Sequence, residues 1–360
     1  MNEQNYDVLI IGAGPAGSTT AILLARSGIK VALTDVHKIK HFVIGESLPP
    51  ECKPILEKLG LWNDFEGDAH RPCYGNQSVW GHPSLQSTDF INSPWGHGWN
   101  IDRIKFEKML RNSAKQKGVD FYLGTRIVKI ERLSNNWHLK LASSGYLNAN
   151  FIVDATGRES WLAVRLGSKR YHIDHQVALV SKFKNNSNSY FDQDSTTLIE
   201  AVEKGWWYSA VIPSGCRVVI FFTDGIYARL FKEPSVFLKE IYNTLHISKR
   251  IIPFYSMIEE PKVVLSNTSI LDKLVGQKWL SVGDAAVAHD PVSSYGLLWS
   301  LSSSIDAALT VTSDLNGDDD AALGKYEKKI KVEFSYFLDR LKNIYRRESR
   351  FPQSKYWNRF

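Results

Sequence analysis

After Asp7 the chain runs Val8-Leu9-Ile10-Ile11 with no polar position to mark a wet face. Such a run fits a strand buried on both sides of a parallel sheet. Small residues take over at Gly12, and Thr19 to Ser27 reads as a helix that stops at Gly28. A second strand runs from Lys30 to Leu33 and ends at Asp35. Two later apolar runs also end in turns that carry aspartate and glycine. Phe151-Ile152-Val153 leads into Asp154 and Gly157, and Trp279-Leu280-Ser281-Val282 leads into Gly283 and Asp284. Small residues from about Leu297 to Leu309 predict a helix. Gln176–Phe183, Trp206–Ile212 and Arg217–Phe222 are rich in β-branched and aromatic residues and predict an antiparallel sheet. Asn185–Ser189 reads as a polar hairpin loop, and Ser313–Asp320 as a turn and linker. Near the C-terminus, Ile330, Phe334, Phe337, Leu338, Leu341 and Ile344 recur at helical spacing.

Composition narrows the class. A chain of 360 residues can bury a core without disulfides. Its three cysteines, Cys52, Cys73 and Cys216, are far apart and odd in number, which argues against a disulfide framework or a CxxC pair. No apolar run approaches the roughly 20 residues of a membrane span, and the N-terminus has no basic and apolar leader. The expectation is a cytoplasmic protein without a membrane span. No HExxH, Walker A or EF-hand pattern occurs, so no metal is expected. The net charge of +6 is uneven: residues 325–360 hold eleven Lys/Arg and four acids, leaving the rest of the chain close to neutral. A nucleic acid is one reading of a basic arm. The apolar stripe along the same segment favours a solvated helix face, and docking to an acidic protein is a third reading. No nucleic acid is expected.

The first turn carries the strongest chemistry. Gly12-Ala13-Gly14-Pro15-Ala16-Gly17 sits between a strand and a helix, and Asp35 follows 18 residues after the last glycine. Gly12 permits the tight turn, Gly14 lets backbone approach a pyrophosphate, and Gly17 lets helix and strand pack closely. The phosphates then rest on the helix N-terminus. Asp35 would bind the adenosine ribose hydroxyls, which disfavours a 2′-phosphate.

This fingerprint, Asp154-Ala-Thr-Gly157-Arg158, and Gly283-Asp284-Ala-Ala followed by Pro291 and Gly296 come in an order that resembles the FAD-dependent monooxygenases of the para-hydroxybenzoate-hydroxylase type. The resemblance implies FAD as cofactor. It gives Asp284 the ribityl chain and puts the loop up to Gly296, with a helix N-terminus, near the flavin ring. Asn100-Ile101-Asp102-Arg103 resembles the segment whose arginine touches the cofactor. The implied fold is α/β. It has a Rossmann-like, three-layer FAD-binding domain (1–75, 100–165 and 270–315), an inserted antiparallel-sheet substrate domain (76–99 and 166–269) and a basic C-terminal helical segment (316–360).

Gly45-Glu46-Ser47-Leu48-Pro49-Pro50 is similar to a loop of flavin-dependent tryptophan halogenases. Two of their hallmarks fail. Tyr208 and Ala210 stand where two tryptophans belong before Ile212-Pro213, and residues 71–81 hold no lysine. The same motifs, with Tyr74-Gly-Asn-Gln-Ser-Val-Trp80-Gly, most resemble the LodB/GoxB-type flavoproteins that accompany quinoprotein amino-acid oxidases. Members of that branch oxygenate a tryptophan side chain in a precursor on the way to cysteine tryptophylquinone. The resemblance implies O2 as co-substrate and a protein substrate, the quinoprotein precursor. Oxygen transfer would run through a flavin C4a-hydroperoxide attacked by an electron-rich ring. No second glycine fingerprint is present, so NAD(P)H would bind transiently or an external reductase would supply electrons. The alternatives are a small-molecule aromatic hydroxylase or oxidase, a halogenase, and a non-catalytic flavoprotein maturation partner.

Eleven tryptophans are many. Trp80, Trp206, Trp207 and Trp299 are candidates for an aromatic substrate pocket, with core packing as the alternative. Trp95 and Trp99 fall in neighbouring segments. His289 and Asp290 are candidate catalytic groups because they lie in the flavin loop, where His289 replaces an expected apolar or aromatic residue. Asp290 also reads as a helix cap ahead of Pro291.

Overall fold

The computed structural model describes residues 3–38, 44–133, 136–143, 145–186 and 192–360. Two large sheets organise it. In chain order the elements that position the site are β1 (Glu3–Ile11), α1 (Pro15–Arg26), β2 (Val31–Asp35), β3 (Gly75–Val79), α2 (Arg103–Gln116), β4 (Asp120–Leu123) and β5 (Tyr146–Asp154). They continue with β6 (Gln176–Asn185), β7 (Thr196–Val202), β8 (Gly205–Val211), β9 (Arg217–Asp224), β10 (Tyr255–Leu265), β11 (Trp279–Ser281), α3 (Gly296–Asn316) and α4 (Ala322–Arg346).

The first sheet has the order β11-β5-β1-β2-β4, with every neighbouring pair parallel. Val8, Leu9 and Ile10 of the central β1 are fully buried, as a strand covered on both faces requires. Antiparallel strands Asn136–Leu141 and Ile127–Leu133 extend it beside β5. The helix after the glycine turn begins earlier than the sequence suggests, at Pro15, whose fixed φ suits the first helical position. It lies against α3, and the Ser304 hydroxyl donates to the Ala16 carbonyl at 2.9 Å.

The second sheet has the order β10-β6-β9-β8-β7-β3 and ends on Gln86–Asp89. All its pairs are antiparallel except β7 with β3. Side chains alternate between its faces. Trp207 stacks on Phe221 and belongs to an outer core with Phe231, Phe237, Ile241, Ile247 and Ile251. Trp206 stacks on Phe222 and belongs to the inner core shared with the first sheet.

One expectation shifts. The linker at Ser313–Asp320 is shorter: α3 runs to Asn316, and Gly317 closes it with φ +71°. Val311 stays buried and Asp314 pairs with Lys278 at 2.9 Å, so packing carries the helix through a polar stretch. The loop expected at Asn185–Ser189 lies, from residue 187 on, outside the described residues.

The C-terminal segment is not a free arm. Ile330, Phe334, Phe337 and Leu341 bury one face of α4. Beyond it the chain folds back on the second sheet. Trp357 Nε1 donates to the Val202 carbonyl at 2.8 Å and Ser354 Oγ to the Glu203 carbonyl at 2.5 Å. The Arg359 side chain is largely covered, 3.9 Å from Asp174 and 3.5 Å from Asp224. No helix among the described residues is long and apolar enough to cross a membrane.

Candidate active site

A cavity of about 890 Å³ opens where β1, β2 and β5 end and the inner face of the second sheet begins. Gly12, Gly14, Ala16, Asp35, Glu46, Ser47, Arg103, Gly157, Asp284, Pro291 and Gly296 line it, so most of the residues singled out for a dinucleotide meet there. Three others stand behind the wall. A Cβ on Gly17 would lie 1.9 Å from the Gly12 carbonyl oxygen, so only glycine lets α1 touch the turn. Gly283 packs against Ala16, where a Cβ would meet its methyl at 2.6 Å. Asp154 spends its carboxylate on its own turn: Oδ1 accepts from Thr156 N and Oγ1 at 3.0 and 2.6 Å, and Oδ2 from Ala163 N at 2.9 Å. It shapes the loop that carries Gly157.

Gly12 has φ +108°, which a side chain would resist, and a Cβ there would meet the Ala155 carbonyl oxygen at 2.2 Å. The turn is held by Asp35, which accepts from Ala13 N at 2.8 Å and from His37 N at 2.8 Å. Both α1 and α3 begin on this cavity, and neither first turn has a side-chain cap. Two helix N-termini with unmet N–H groups favour negative charge. Where Gly157 and Gly296 line the wall, a Cβ would meet nothing within 4 Å.

Charged residues ring the cavity. Arg103 donates to the carbonyls of Ile44 and Gly45 and to Glu107, the last at 3.0 Å. Arg158 lines the wall, donates to the carbonyls of Asn267 and His289, and lies 3.6 Å from the Asp284 carboxylate. Behind it, Arg170 donates to the Asp284 carbonyl at 2.6 Å, and burial lowers its pKa to about 10. Neither Arg158 nor Arg170 was assigned a role from sequence, although Arg158 stands in the quoted motif. Glu46 is buried, and desolvation raises its pKa against the pull of Arg103. The Tyr208 hydroxyl is buried and has no hydrogen-bond partner among the described residues, and burial and the nearby Glu46 carboxylate raise its pKa.

His289 and Asp290 both line the cavity, in contrasting surroundings. The His289 ring sits among Phe337, Tyr295 and Trp299, with centroids 4.4, 5.1 and 5.1 Å away. Burial, then the charges of Arg158 and Arg340, lower its pKa to about 3. It is a neutral imidazole near pH 7 and packs like the aromatic residue expected there. Asp290 caps the turn Pro291–Ser293 by accepting from Val292 N at 2.9 Å. Its other oxygen accepts from Tyr345 Oη at 2.9 Å and from Gln176 Nε2 at 3.3 Å. Burial and then Asp174 raise its pKa to about 6. Asp290 lines the cavity but its carboxylate is engaged in holding the loop.

The tryptophans divide. Trp206 lines the cavity. Trp207, on the opposite face of β8, does not. Trp80 stands behind Trp206, 6.1 Å between centroids, and donates to the Ile344 carbonyl. Trp299 packs on His289 away from the main cavity. Trp99 is buried with Trp62 and Phe65, and Trp95 is exposed. Tyr208, Phe222 and the aliphatic Ile220 line the cavity beside Trp206, and Trp161 and Tyr295 line it elsewhere. Sequence held a signal for Tyr208: it is two residues from Trp206, and period two places both on one face. The buried Cys52 and Cys73 have thiol pKa values raised by desolvation.

A sequence profile of the FAD binding domain family matches residues 5–332. The chain belongs to this family. It is an FAD-dependent oxidoreductase, and its cofactor is FAD. It is similar to the putative FAD-dependent oxidoreductase LodB of Marinomonas mediterranea, at 27% identity over 99% of this chain and 97% of that one. The flavin-dependent halogenase armH2 of Armillaria mellea is 24% identical over 94% of this chain and 72% of its own. Among solved structures, the myxobacterial chondrochloren halogenase CndH superposes with a TM-score of 0.89 at 22% identity, covering 99% of this chain and 86% of that one. The peptidyl tryptophan dihydroxylase QhpG has the same fold, with a TM-score of 0.75 at 22% identity over 99% and 78%. The flavoprotein's cavity fits FAD on its own geometry: a close-approach glycine turn, two uncapped helix N-termini, and room beside Gly157 and Gly296.

Proposed function

We propose that the protein is a monooxygenase that inserts oxygen into a tryptophan side chain of a protein partner, the precursor of a cysteine tryptophylquinone enzyme. One observation carries the reading. A single cavity joins the glycine cradle to an apolar wall of Trp206, Tyr208, Ile220 and Phe222, three of them aromatic, and no lysine is among its described lining residues. Two likenesses support it. The match to LodB runs the length of both chains, and QhpG, which shares the fold, is essential for tryptophylquinone biogenesis.

FAD, when bound, supplies the activation of O2. The chain does the rest. Gly12, Gly14 and Ala16 would seat the pyrophosphate on α1, Asp35 the adenosine ribose and Asp284 the ribityl chain. Arg103, Glu46, Ser47 and Gly157 would complete the cradle, and Pro291 to Gly296 would bring the N-terminus of α3 to the ring. Trp206 and Phe222 offer an indole an apolar face and exclude water. Glu46, whose pKa burial raises, lines the same cavity as Tyr208. His289 stays neutral near pH 7. The reductant is NAD(P)H bound transiently or an external reductase.

The test is to express the protein with and without the products of neighbouring genes and to weigh each product intact. A gain of about 16 or 32 Da on one partner, at tryptophan, is expected, the mass of one or two oxygen atoms. No gain on any partner, from protein that is FAD-loaded and consumes O2, would give the site to a small aromatic substrate.

A further inference from the structure

The second sheet ends on β10, which among the described residues pairs only with β6. Its open side is long and apolar in places: Ile258 is 51% exposed, Val263 39% and Leu265 63%. Proteins usually blunt such an edge with charge, proline or a bulge. Here Pro261 and a shift in register between Val180 and Lys182 divide the strand. The part beyond the break, Lys262 to Leu265, keeps a regular ladder with β6 and runs straight to the cavity, which Leu265 and Ser266 line.

The hydrogen-bond phase of that part is fixed. Ser266 N donates to the Gln176 carbonyl at 3.2 Å, with Leu265 opposite Val177 and Val263 opposite Leu179. In an antiparallel ladder bonded and unbonded pairs alternate. Ser266 and Val264 therefore bond to β6, and the N–H and C=O groups of Val263 and Leu265 turn outward. Side-chain phase is fixed as well. Val264 packs against the inner core that includes Trp206, Tyr208 and Phe222. A strand added outside β10 would place its residue opposite Val264, and every second one from it, on that same inner face.

We infer that the outer edge of β10 from Val263 to Leu265 is the docking site of the substrate polypeptide, an extended segment that adds as a strand and presents an aromatic side chain on the cavity side. The inference rests on the protein-substrate reading above. Main-chain bonds to Val263 and Leu265 give affinity for any sequence without proline in phase, and the inner-face pocket selects the aromatic residue. The occupant is a polypeptide, because a free amino acid has no strand to add.

The probe is a nine-residue peptide of alternating threonine and lysine around a central tryptophan, with a second version N-methylated at every other amide in each of the two phases. FAD-loaded protein is used throughout. Hydrogen exchange at the Val263 and Leu265 amides should slow with the parent peptide. One methylated phase should bind at least tenfold more weakly, and the other should bind like the parent. Val263→Pro removes a donor the sheet does not use, so it should weaken binding similarly while FAD content stays the same. Unchanged exchange at the two amides, or equal affinity for both phases, overturns the inference. So does a dimer in sedimentation that Val263→Pro dissociates, which would give the edge to a second copy. Partner oxygenation that survives intact in Val263→Pro also overturns it and leaves the oxygenase reading standing. Peptide docking at this edge without oxygenation of any partner would sink the oxygenase reading alone.

Discussion

Asp154 and Asp284 read alike in the sequence, each ending an apolar strand. The first turns inward to cap its own loop and the second faces the cavity. Local motif cannot separate them, because the difference lies in which neighbours supply N–H groups. The glycines were legible, since phosphate binding constrains their spacing inside one turn. Gly14 tests this most simply. It lines the cavity with φ −76°, a conformation open to other residues, so Gly14→Val acts through space alone. FAD affinity should fall at least about tenfold, roughly 1.4 kcal/mol, read from bound flavin absorbance. Full flavin content in the folded variant would contradict the assignment. His289 gives a pH test. Its folded pKa of about 3 lies below the ordinary 6.5, so the stability of the neutral form is complete above pH 6.5 and is lost as pH falls towards 3. His289→Phe keeps the aromatic packing and removes the titration. Its melting temperature should drop less than that of the wild type between pH 7.5 and 4.5, by calorimetry.

At the scale of elements, the sequence offered Trp206 and Trp207 together as pocket residues; period two sends adjacent strand residues to opposite faces, so one of them had to fail, though it does not say which. That choice depends on the register of β8 with β9 and on which face of the sheet the first sheet covers. The apolar stripe of α4 was legible, but the return of the chain beyond it was not, since single aromatic anchors such as Trp357 show no period. The last turn of α4 matters to the site. Tyr345 Oη lies 2.9 Å from Asp290, 3.1 Å from Gln176 and 3.3 Å from Nε1 of Trp206, which lines the cavity. Tyr345→Phe leaves these buried groups short of a partner, which should cost about 1–3 kcal/mol and shift Trp206 fluorescence. An unchanged denaturation midpoint and spectrum would detach this turn from the site. Under the second sheet, the Arg217 guanidinium is almost fully buried, 2.6 Å from Asp192, which also accepts from Tyr255. Asp192→Ala removes the nearer of the guanidinium's two carboxylates and leaves Asp194 at 3.1 Å, so it should destabilise by about 1–3 kcal/mol, measured by urea unfolding; a loss below about 1 kcal/mol would place the pair among surface-like ones.

For the whole molecule the decisive features are the join of two sheets around one cavity and the chemistry of its wall. Halogenases share this fold, and the absence of lysine from both residues 71–81 and the described cavity lining sets this chain apart from the pattern the sequence was compared with. With FAD, a reductant, O2 and bromide, free tryptophan should give no brominated indole by mass spectrometry. A brominated product from the pure protein would return the halogenase reading. The central claim is oxygen insertion into a partner's tryptophan, and the source of that oxygen tests it most directly. The partner should be matured under isotopically heavy dioxygen in ordinary water and then weighed intact. Each inserted atom should be about 2 Da heavier than from ordinary air, because O2 activated at the flavin supplies it; a partner whose mass gain keeps its ordinary value, or takes the label only from heavy water, would contradict oxygen insertion by this protein.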